Sequence, residues 1–167
     1  NKFPALSKNI VQKVDLITDK NAINQQSNTG DILIQSGQVF VQKSQSGGGS
    51  PVIRGFEASR VLLMVDGVRL NNAIFRGGHL QNIITIDNMI LDRVEVIYGP
   101  SSTLYGSDAL GGVVNMFTKK PKFSDSANWK VSANLMQRYA SGQNENRTHL
   151  DINIANNKWA YLTSFTY

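Results

Sequence analysis

The sequence predicts an α+β fold whose two regions differ in their hydrophobic pattern. Short apolar runs separated by glycine turns and helix caps fill the chain up to about Lys122, which indicates short strands and short helices. Beyond that point, three longer runs alternate apolar and polar residues, as antiparallel strands do. With 167 residues and 41% hydrophobic content, the chain can build a core of ordinary size.

The composition excludes several classes of protein. There is no cysteine, which rules out a disulfide framework, a thiolate zinc site and a cysteine nucleophile. The net charge of +5 indicates a mildly basic surface, and no basic face with interleaved aromatics predicts nucleic-acid binding. The longest apolar run, Val61–Val65, is too short for a transmembrane helix. The residues from Asn1 onward carry no signal-peptide core, so an exported protein would have had its signal upstream.

The chain opens with a strand, two short helices and a second strand. Residues 11–17 form the first apolar strand, and Thr18-Asp19 caps a helical turn behind it. Asn28 begins a second helix, which Gly37 ends. Alternating valines at 39 and 41 then start the next strand.

Residues 60–70 form the clearest hairpin in the sequence. Asp66-Gly67 is a residue pair that type I′ turns favour, and apolar residues flank it on both sides. Val61–Val65 shows no alternation, which predicts a strand buried on both faces at the centre of the core.

In residues 93–118, glycines interrupt the predicted strands and helical turns at several points. A short helix that begins at Asp87 leads into a strand over residues 93–98. Gly106 is expected to end a helical turn in a left-handed conformation, and Asp108 to cap a second turn. A further strand begins near Val113 after two glycines.

Two loops are candidates for contact with a ligand. Residues 44–50, SQSGGGS, have the composition of a flexible linker, but the extended segment that follows favours a loop within one domain. That segment also argues against a phosphate cradle, which needs a helix next. Residues 71–84 form a long connection that holds Phe75, Arg76 and His79 close together, and long loops in compact domains are usually functional. The alternative is a packed surface loop with Phe75 turned inward.

The last region alternates in a way that is typical of strands with one apolar face. The pattern is the weak signature of a transmembrane β-barrel, and an ordinary half-buried sheet is the alternative. A loop is expected over residues 141–147 and a turn at Asn156-Asn157. We expect an antiparallel meander whose apolar face is covered by the first region or by a neighbouring chain. Aromatic residues suited to membrane interfaces are Trp129, Tyr139, Trp159 and Tyr167.

Catalysis is not indicated by the residues. The two histidines, His79 and His149, stand in no motif with a serine, and the GxSxG pattern is absent. No spacing of histidine and carboxylate residues predicts a metal site. The sequence therefore argues against an enzyme.

Three motifs resemble the plug domain of TonB-dependent outer-membrane receptors. They are IRGF from Ile53, VLLMVDGV from Val61, and RVEVIYGPSSTLYGSDALGGVVNMFTKK from Arg93. The resemblance implies a small mixed-sheet plug domain with short helices over residues 1–122. It also implies that residues 123–167 begin a transmembrane β-barrel. Three strands cannot close a barrel of about 22, so we expect this chain to be a truncated, N-terminal part of a receptor.

The function implied by the resemblance is active import of an iron complex, haem or a similar large ligand into a Gram-negative bacterium. The expected partners are TonB, through a segment upstream of residue 1, and an extracellular small ligand or haem protein. No covalently bound cofactor is expected, and the transported ligand would be haem or a ferric siderophore. A ligand-binding or signalling plug module without a transport role is the alternative.

The resemblance also suggests which residues serve a site. Ligand-contacting residues in the apical loops would be Phe75, Arg76, His79, Gln45 and Ser46. Charged residues that lock the plug against the barrel wall would be Arg54, Arg93 and Glu95. The alternative for the last two is that they face solvent on an edge strand.

Overall fold

A computed structural model describes residues 13–26, 28–35, 37, 39–43, 49–56, 60–70, 82–99, 105–142 and 144–167. The chain divides into two compact units, and the boundary along the sequence falls between Thr118 and Lys119. The first unit contains a mixed sheet with short helices, and the second contains an antiparallel meander. The predicted α+β fold class is therefore confirmed. The boundary predicted from the sequence lies slightly later, after Lys122.

The first unit consists of seven strands, two α-helices and three short 3₁₀ helices among the described residues. The strands are β1 (Val14–Ile17), β2 (Val39–Lys43), β3 (Gly49–Ile53), β4 (Val61–Val65), β5 (Val68–Arg69), β6 (Leu91–Tyr98) and β7 (Gly112–Thr118). The helices are α1 (Lys20–Gln25) and α2 (Thr29–Gln35), and the 3₁₀ helices are Asn82–Thr85, Asn88–Ile90 and Ser107–Ala109.

The main sheet has the strand order β1-β6-β7-β4-β5. β4 and β7 pair in parallel, while the other neighbours pair antiparallel. β4 is buried almost throughout, as predicted. It is not the central strand, however, because β7 enters between β4 and β6 and takes the middle of the sheet. β4 nevertheless contributes to the core on both faces, with Val61 and Leu63 on one side and Leu62 and Met64 on the other, as predicted.

The glycine-rich segment at residues 44–50 lies inside the first unit. β2 and β3 pair antiparallel on either side of it, so the segment joins the two strands of a hairpin. Both flanking strands belong to the first unit, which agrees with a connection within one domain, while residues 44–48 themselves lie outside the described residues. Gly49 and Ser50 belong to β3, which makes the connection shorter than predicted.

Both faces of the main sheet carry apolar clusters. The larger cluster packs the helices and the β2–β3 hairpin against one face, because alternate residues of each strand share a face. Its members include Ile23, Ile32, Leu33, Val41, Ile53, Leu63, Ile83, Leu91, Val94, Val96, Tyr98, Val114 and Met116. A smaller cluster covers part of the other face and contains Leu62, Met64, Ile97, Ala109 and Val113.

Local turn and cap signals are mostly confirmed. Asp66 and Gly67 take positive φ values of 49° and 82° between β4 and β5, as the predicted hairpin turn requires. The Asn28 Oδ1 atom accepts from the Asp31 amide at 3.0 Å and caps α2. Gly37 has a φ of 72° just beyond that helix. Asp87 caps the 3₁₀ helix Asn88–Ile90 through the Met89 amide at 3.0 Å.

The predicted cap at Asp108 is wrong. Asp108 lies inside the 3₁₀ helix Ser107–Ala109, and the N-cap residue of this helix is Gly106. Gly106 has a φ of 91° and a ψ of −178°, a conformation that only glycine adopts readily. Its carbonyl accepts from the Ala109 amide at 3.2 Å, so the turn begins earlier than expected.

The second unit is a three-stranded antiparallel meander in the order β10-β9-β8. Its strands are β8 (Lys130–Ala140), β9 (Glu145–Ala155) and β10 (Ala160–Thr166). The loop predicted over residues 141–147 is too long, because Glu145 pairs with Ala140 and β9 starts there. Ion pairs of Glu145 with Arg138 and Arg147 draw these polar residues into the strands. In the described part of the chain, no helix has the length and apolar content needed to cross a membrane.

Gly112 is a glycine at which we expect an added methyl group to be damaging. A Cβ there would lie 2.6 Å from the backbone oxygen of Ile97 on the paired strand, which cannot move without breaking the sheet. Gly112→Ala should lower the free energy of unfolding of the β6–β7 region by about 2–3 kcal/mol. Native-state hydrogen exchange of the β6 amides measures this change.

Gly142→Ala is the matched control, since an added Cβ there meets nothing within 4 Å. Its effect should stay within about 0.5 kcal/mol. Equal effects of the two substitutions would contradict the packing described for β7.

Candidate functional site

The predicted ligand-contacting residues cannot be placed. Phe75, Arg76, His79, Gln45 and Ser46 all lie outside the described residues. Their role stays a prediction.

Two of the predicted latch residues form a pair on β6. The Arg93 Nε atom donates to Glu95 Oε1 at 3.0 Å, and the two side chains share a face because they are two residues apart on a strand. The Arg93 guanidinium also lies 3.8 Å from the centre of the Phe117 ring, directly across on β7. Both charged side chains are partly buried, and β6 lies between β1 and β7 rather than at an edge of the sheet.

Glu95 has polar neighbours that the sequence analysis did not single out. Asn115 lies opposite Glu95 on β7, is almost fully buried, and its Oδ1 atom accepts no hydrogen bond from the described residues. Burial raises the pKa of Tyr105, and the negative charge of Glu95 raises that pKa further. The signal that could have found Asn115 is a polar residue inside the apolar run GVVNMF.

Arg54 stands apart from the Arg93–Glu95 pair. Its guanidinium lies 5.6 Å from the centre of the Tyr98 ring. The Tyr98 side chain packs in the larger core cluster, on the face of β6 opposite to Arg93 and Glu95. The structure therefore brings together two of the three predicted latch residues and leaves Arg54 on the other side of the sheet.

The turn residue Asp66 also holds the end of β7. Its Oδ1 atom accepts from the Thr118 amide at 3.0 Å, and its Oδ2 atom accepts from the Thr118 hydroxyl at 2.6 Å. Both bonds are exposed to solvent. The sequence assigns Asp66 only to the hairpin turn. In the structure it also binds the last residue of β7.

The second unit has a buried polar cluster that centres on Asp151. His149 Nε2 lies 2.8 Å from Asp151 Oδ1, and the Ser164 hydroxyl donates to the same oxygen at 2.6 Å. Lys119 Nζ donates to Asp151 Oδ2 at 2.7 Å. His149 is fully buried, and its other ring nitrogen lies 2.7 Å from the Thr166 hydroxyl. Both carboxylate oxygens of Asp151 and both ring nitrogens of His149 thus have polar partners, as buried polar groups require.

The meander buries polar side chains on one face and exposes apolar side chains on the other, which is the reverse of a water-soluble sheet. His149 and Asp151 are buried on one face, which we call the inner face. The opposite, outer face exposes most of its large apolar side chains. These exposed residues are Val131, Leu135, Tyr139, Tyr161 and Phe165. Within this chain these side chains are left exposed, and cover of the apolar face by a neighbouring chain stays a prediction.

Metal binding has no support in the described part of the chain. Among those residues, no group of three or more histidine, cysteine, aspartate or glutamate side chains could hold a metal ion.

Comparison with known proteins gives the chain a family match. Residues 7–113 match the model of the TonB-dependent receptor plug domain. The vitamin B12 transporter BtuB of Vibrio vulnificus (strain CMCP6) is 47% identical over 89 residues, which are 51% of this chain and 14% of BtuB. The chain therefore spans only a small part of this relative.

Solved structures share the fold. The copper transporter OprC superimposes with a TM-score of 0.69 at 21% identity, over 86% of this chain and 21% of OprC. The pyoverdine receptor FpvA of Pseudomonas aeruginosa PAO1 gives a TM-score of 0.63 at 24% identity, over 85% of this chain and 19% of FpvA. The ferric enterobactin receptor PfeA of Pseudomonas aeruginosa gives 0.63 at 22% identity, over 94% of this chain and 24% of PfeA.

The Arg93–Glu95 pair should contribute measurably to the stability of β6 and β7. A double-mutant cycle with Arg93→Met and Glu95→Gln should give a coupling energy of about 0.5–1 kcal/mol, since the pair is only partly buried. Hydrogen exchange of the β6 and β7 amides provides the free energies.

The same cycle with Arg54→Met and Glu95→Gln is the control, because Arg54 lies on the other face. Coupling that is equal in the two cycles would contradict the placement of Arg54.

Proposed function

The chain belongs to the family of TonB-dependent receptor plug domains, and on that premise we propose that it gates active import of a large ligand across the outer membrane. The family consists of bacterial outer-membrane receptors and transporters rather than enzymes. In the proposal, the region up to about Lys122 is the gate, and residues 123–167 begin the wall of the conduit. TonB supplies the pull that remodels the gate, after the ligand has bound on the outer side.

The inverted meander is the observation that carries the proposal. A sheet that buries His149 and Asp151 and exposes large apolar side chains is unstable in water but suits a wall between lipid and a polar lumen. Such a wall directly after a plug domain is what a gated conduit needs. A plug that served only signalling or ligand binding would not require it.

The charged residues of the plug are proposed to latch it to the wall. Arg93 and Glu95 are partly buried and paired, and a charge on the barrel wall that competes for either of them would open the pair. In the full receptor, charged residues of the barrel wall would then decide whether the Arg93–Glu95 ion pair is formed or broken. Arg54 would act separately, since it lies beside Tyr98 on the other face.

The ligand is proposed to be a scarce metal complex. The relatives are named for vitamin B12, pyoverdine, enterobactin and copper, so cobalamin and ferric siderophores are the first candidates to test. Haem remains a further candidate, for which His79 would be the contact residue. The apical contacts would come from Phe75, Arg76, His79, Gln45 and Ser46.

Import should depend on both the receptor and TonB. Cells that rely on the full-length receptor should take up a labelled ferric siderophore, cobalamin or haem, and deletion of TonB should abolish uptake while surface binding persists. Uptake of the labelled ligand at 37 °C and binding at 4 °C separate the two steps. Binding of a ligand without TonB-dependent uptake would favour the signalling module instead.

If haem is the ligand, His79→Ala in the full-length receptor should reduce haem uptake, because an imidazole is a good ligand for haem iron. Uptake of a ferric siderophore by the same variant is the control. Unchanged haem uptake would remove His79 from the proposed site.

A further inference from the structure

The chain passes from the first unit to the second between two neighbouring residues that are each held by a carboxylate. Thr118 donates its amide and its hydroxyl to Asp66. Lys119 donates to Asp151 at 2.7 Å, and its Nζ atom lies 3.4 Å from His149 Nε2. No residue separates the two attachments along the chain.

Residues 119–124, which we call the strap, continue alongside β9. The Lys122 amide donates to Asn153 Oδ1 at 3.0 Å, and Asn153 Nδ2 donates back to the Lys122 carbonyl at 3.0 Å. The Ser124 amide donates to the Asn156 carbonyl at 3.2 Å. Successive strap residues thus bind successive positions of β9 and the turn after it, so the strap is fixed at three points within the second unit.

The two attachments at the junction differ in strength. The bonds between Asp66 and Thr118 are exposed, where water competes and the net value of a hydrogen bond is small. The Lys119 and Asp151 side chains are only 15% and 10% exposed, and His149 beside them is fully buried. Removing one member of a buried ion pair is far more costly than losing an exposed bond. Under load, the attachment on the Thr118 side should therefore open first.

We propose that the strap is a mechanical stop, with Lys119 as its positioning residue. A pull that enters from the N-terminal side can remodel the first unit as far as Thr118. The strap stays fixed to β9, so remodelling ends at Lys119 and the gate remains tethered for reclosure. This inference rests on the proposed import function. It implies that residues 119–124 stay with the barrel wall when the gate is remodelled.

Cross-linking in the full-length receptor tests the stop. Lys122→Cys with Asn153→Cys, joined by a short thiol cross-linker, fixes the strap to β9, and the chain contains no cysteine of its own. Val14→Cys with Ile97→Cys, at directly paired positions, fixes β1 to β6 in the first unit. TonB-dependent uptake is measured before and after cross-linking of each receptor.

The inference predicts that the strap link leaves uptake unchanged and that the β1–β6 link stops it. Loss of uptake with the strap link would overturn the inference but not the proposed function. Uptake that survives the β1–β6 link would overturn the proposed remodelling of the gate, and with it the stop.

A matched pair of lysine variants tests the positioning role. With Ser124→Cys as reporter, Lys119→Met should speed thiol labelling of the strap in energised cells by about tenfold or more, because a buried charge loses its partner. Lys120→Met, at the exposed neighbouring lysine, should leave the labelling rate unchanged. Asp151→Asn serves as a second variant if Lys119→Met does not reach the membrane, and it should act in the same direction. Equal labelling in the two lysine variants would contradict the role of Lys119.

Discussion

The organisation of the second unit depends on the buried carboxylate of Asp151. A buried charge is tolerated only when paired, and this one is met by Lys119, His149 and Ser164 from three separate segments. Those contacts join the strap, β9 and β10 on one face. The polar groups are thereby gathered inward, and the apolar side chains are left on the outer face. The inverted burial of the meander follows from where its charges are paired.

The first unit is organised around a strand that comes last in the sequence of the unit but lies in the middle of its sheet. β7 is the last strand of the unit, yet it lies between β4 and β6. Its Asn115 faces Glu95, and its Phe117 lies under the guanidinium of Arg93. The proposed latch and the junction at Thr118 are therefore parts of one strand pair.

Signals that depend on a few consecutive residues were predictable from the sequence. The Asp66-Gly67 turn, the Asn28 and Asp87 caps and the alternation in the meander are of this kind, because their chemistry is local. The parallel pairing of β4 with β7 could not be predicted from pattern, since it joins distant segments through a crossover. The place of Arg54, opposite to Arg93 and Glu95, depends on that tertiary arrangement too.

The missed polar groups have the same explanation. Lys119 and Asp151 are 32 residues apart in the sequence. Their pairing depends on the strap running beside β9, which no spacing rule describes. The burial of His149 has a similar cause. In this meander the polar residues of the alternating pattern lie on the inner, buried face, whereas in a water-soluble sheet they would face the solvent.

The most direct test of this account is the lipid accessibility of β10 in the full-length, membrane-embedded receptor. Spin labels placed one at a time at residues 161–166 are compared for collision with oxygen, which concentrates in lipid, and with a water-soluble nickel complex. The account predicts high oxygen accessibility at Tyr161, Thr163 and Phe165 and low values at Leu162, Ser164 and Thr166. A reversed pattern, or one without a period of two, would contradict it.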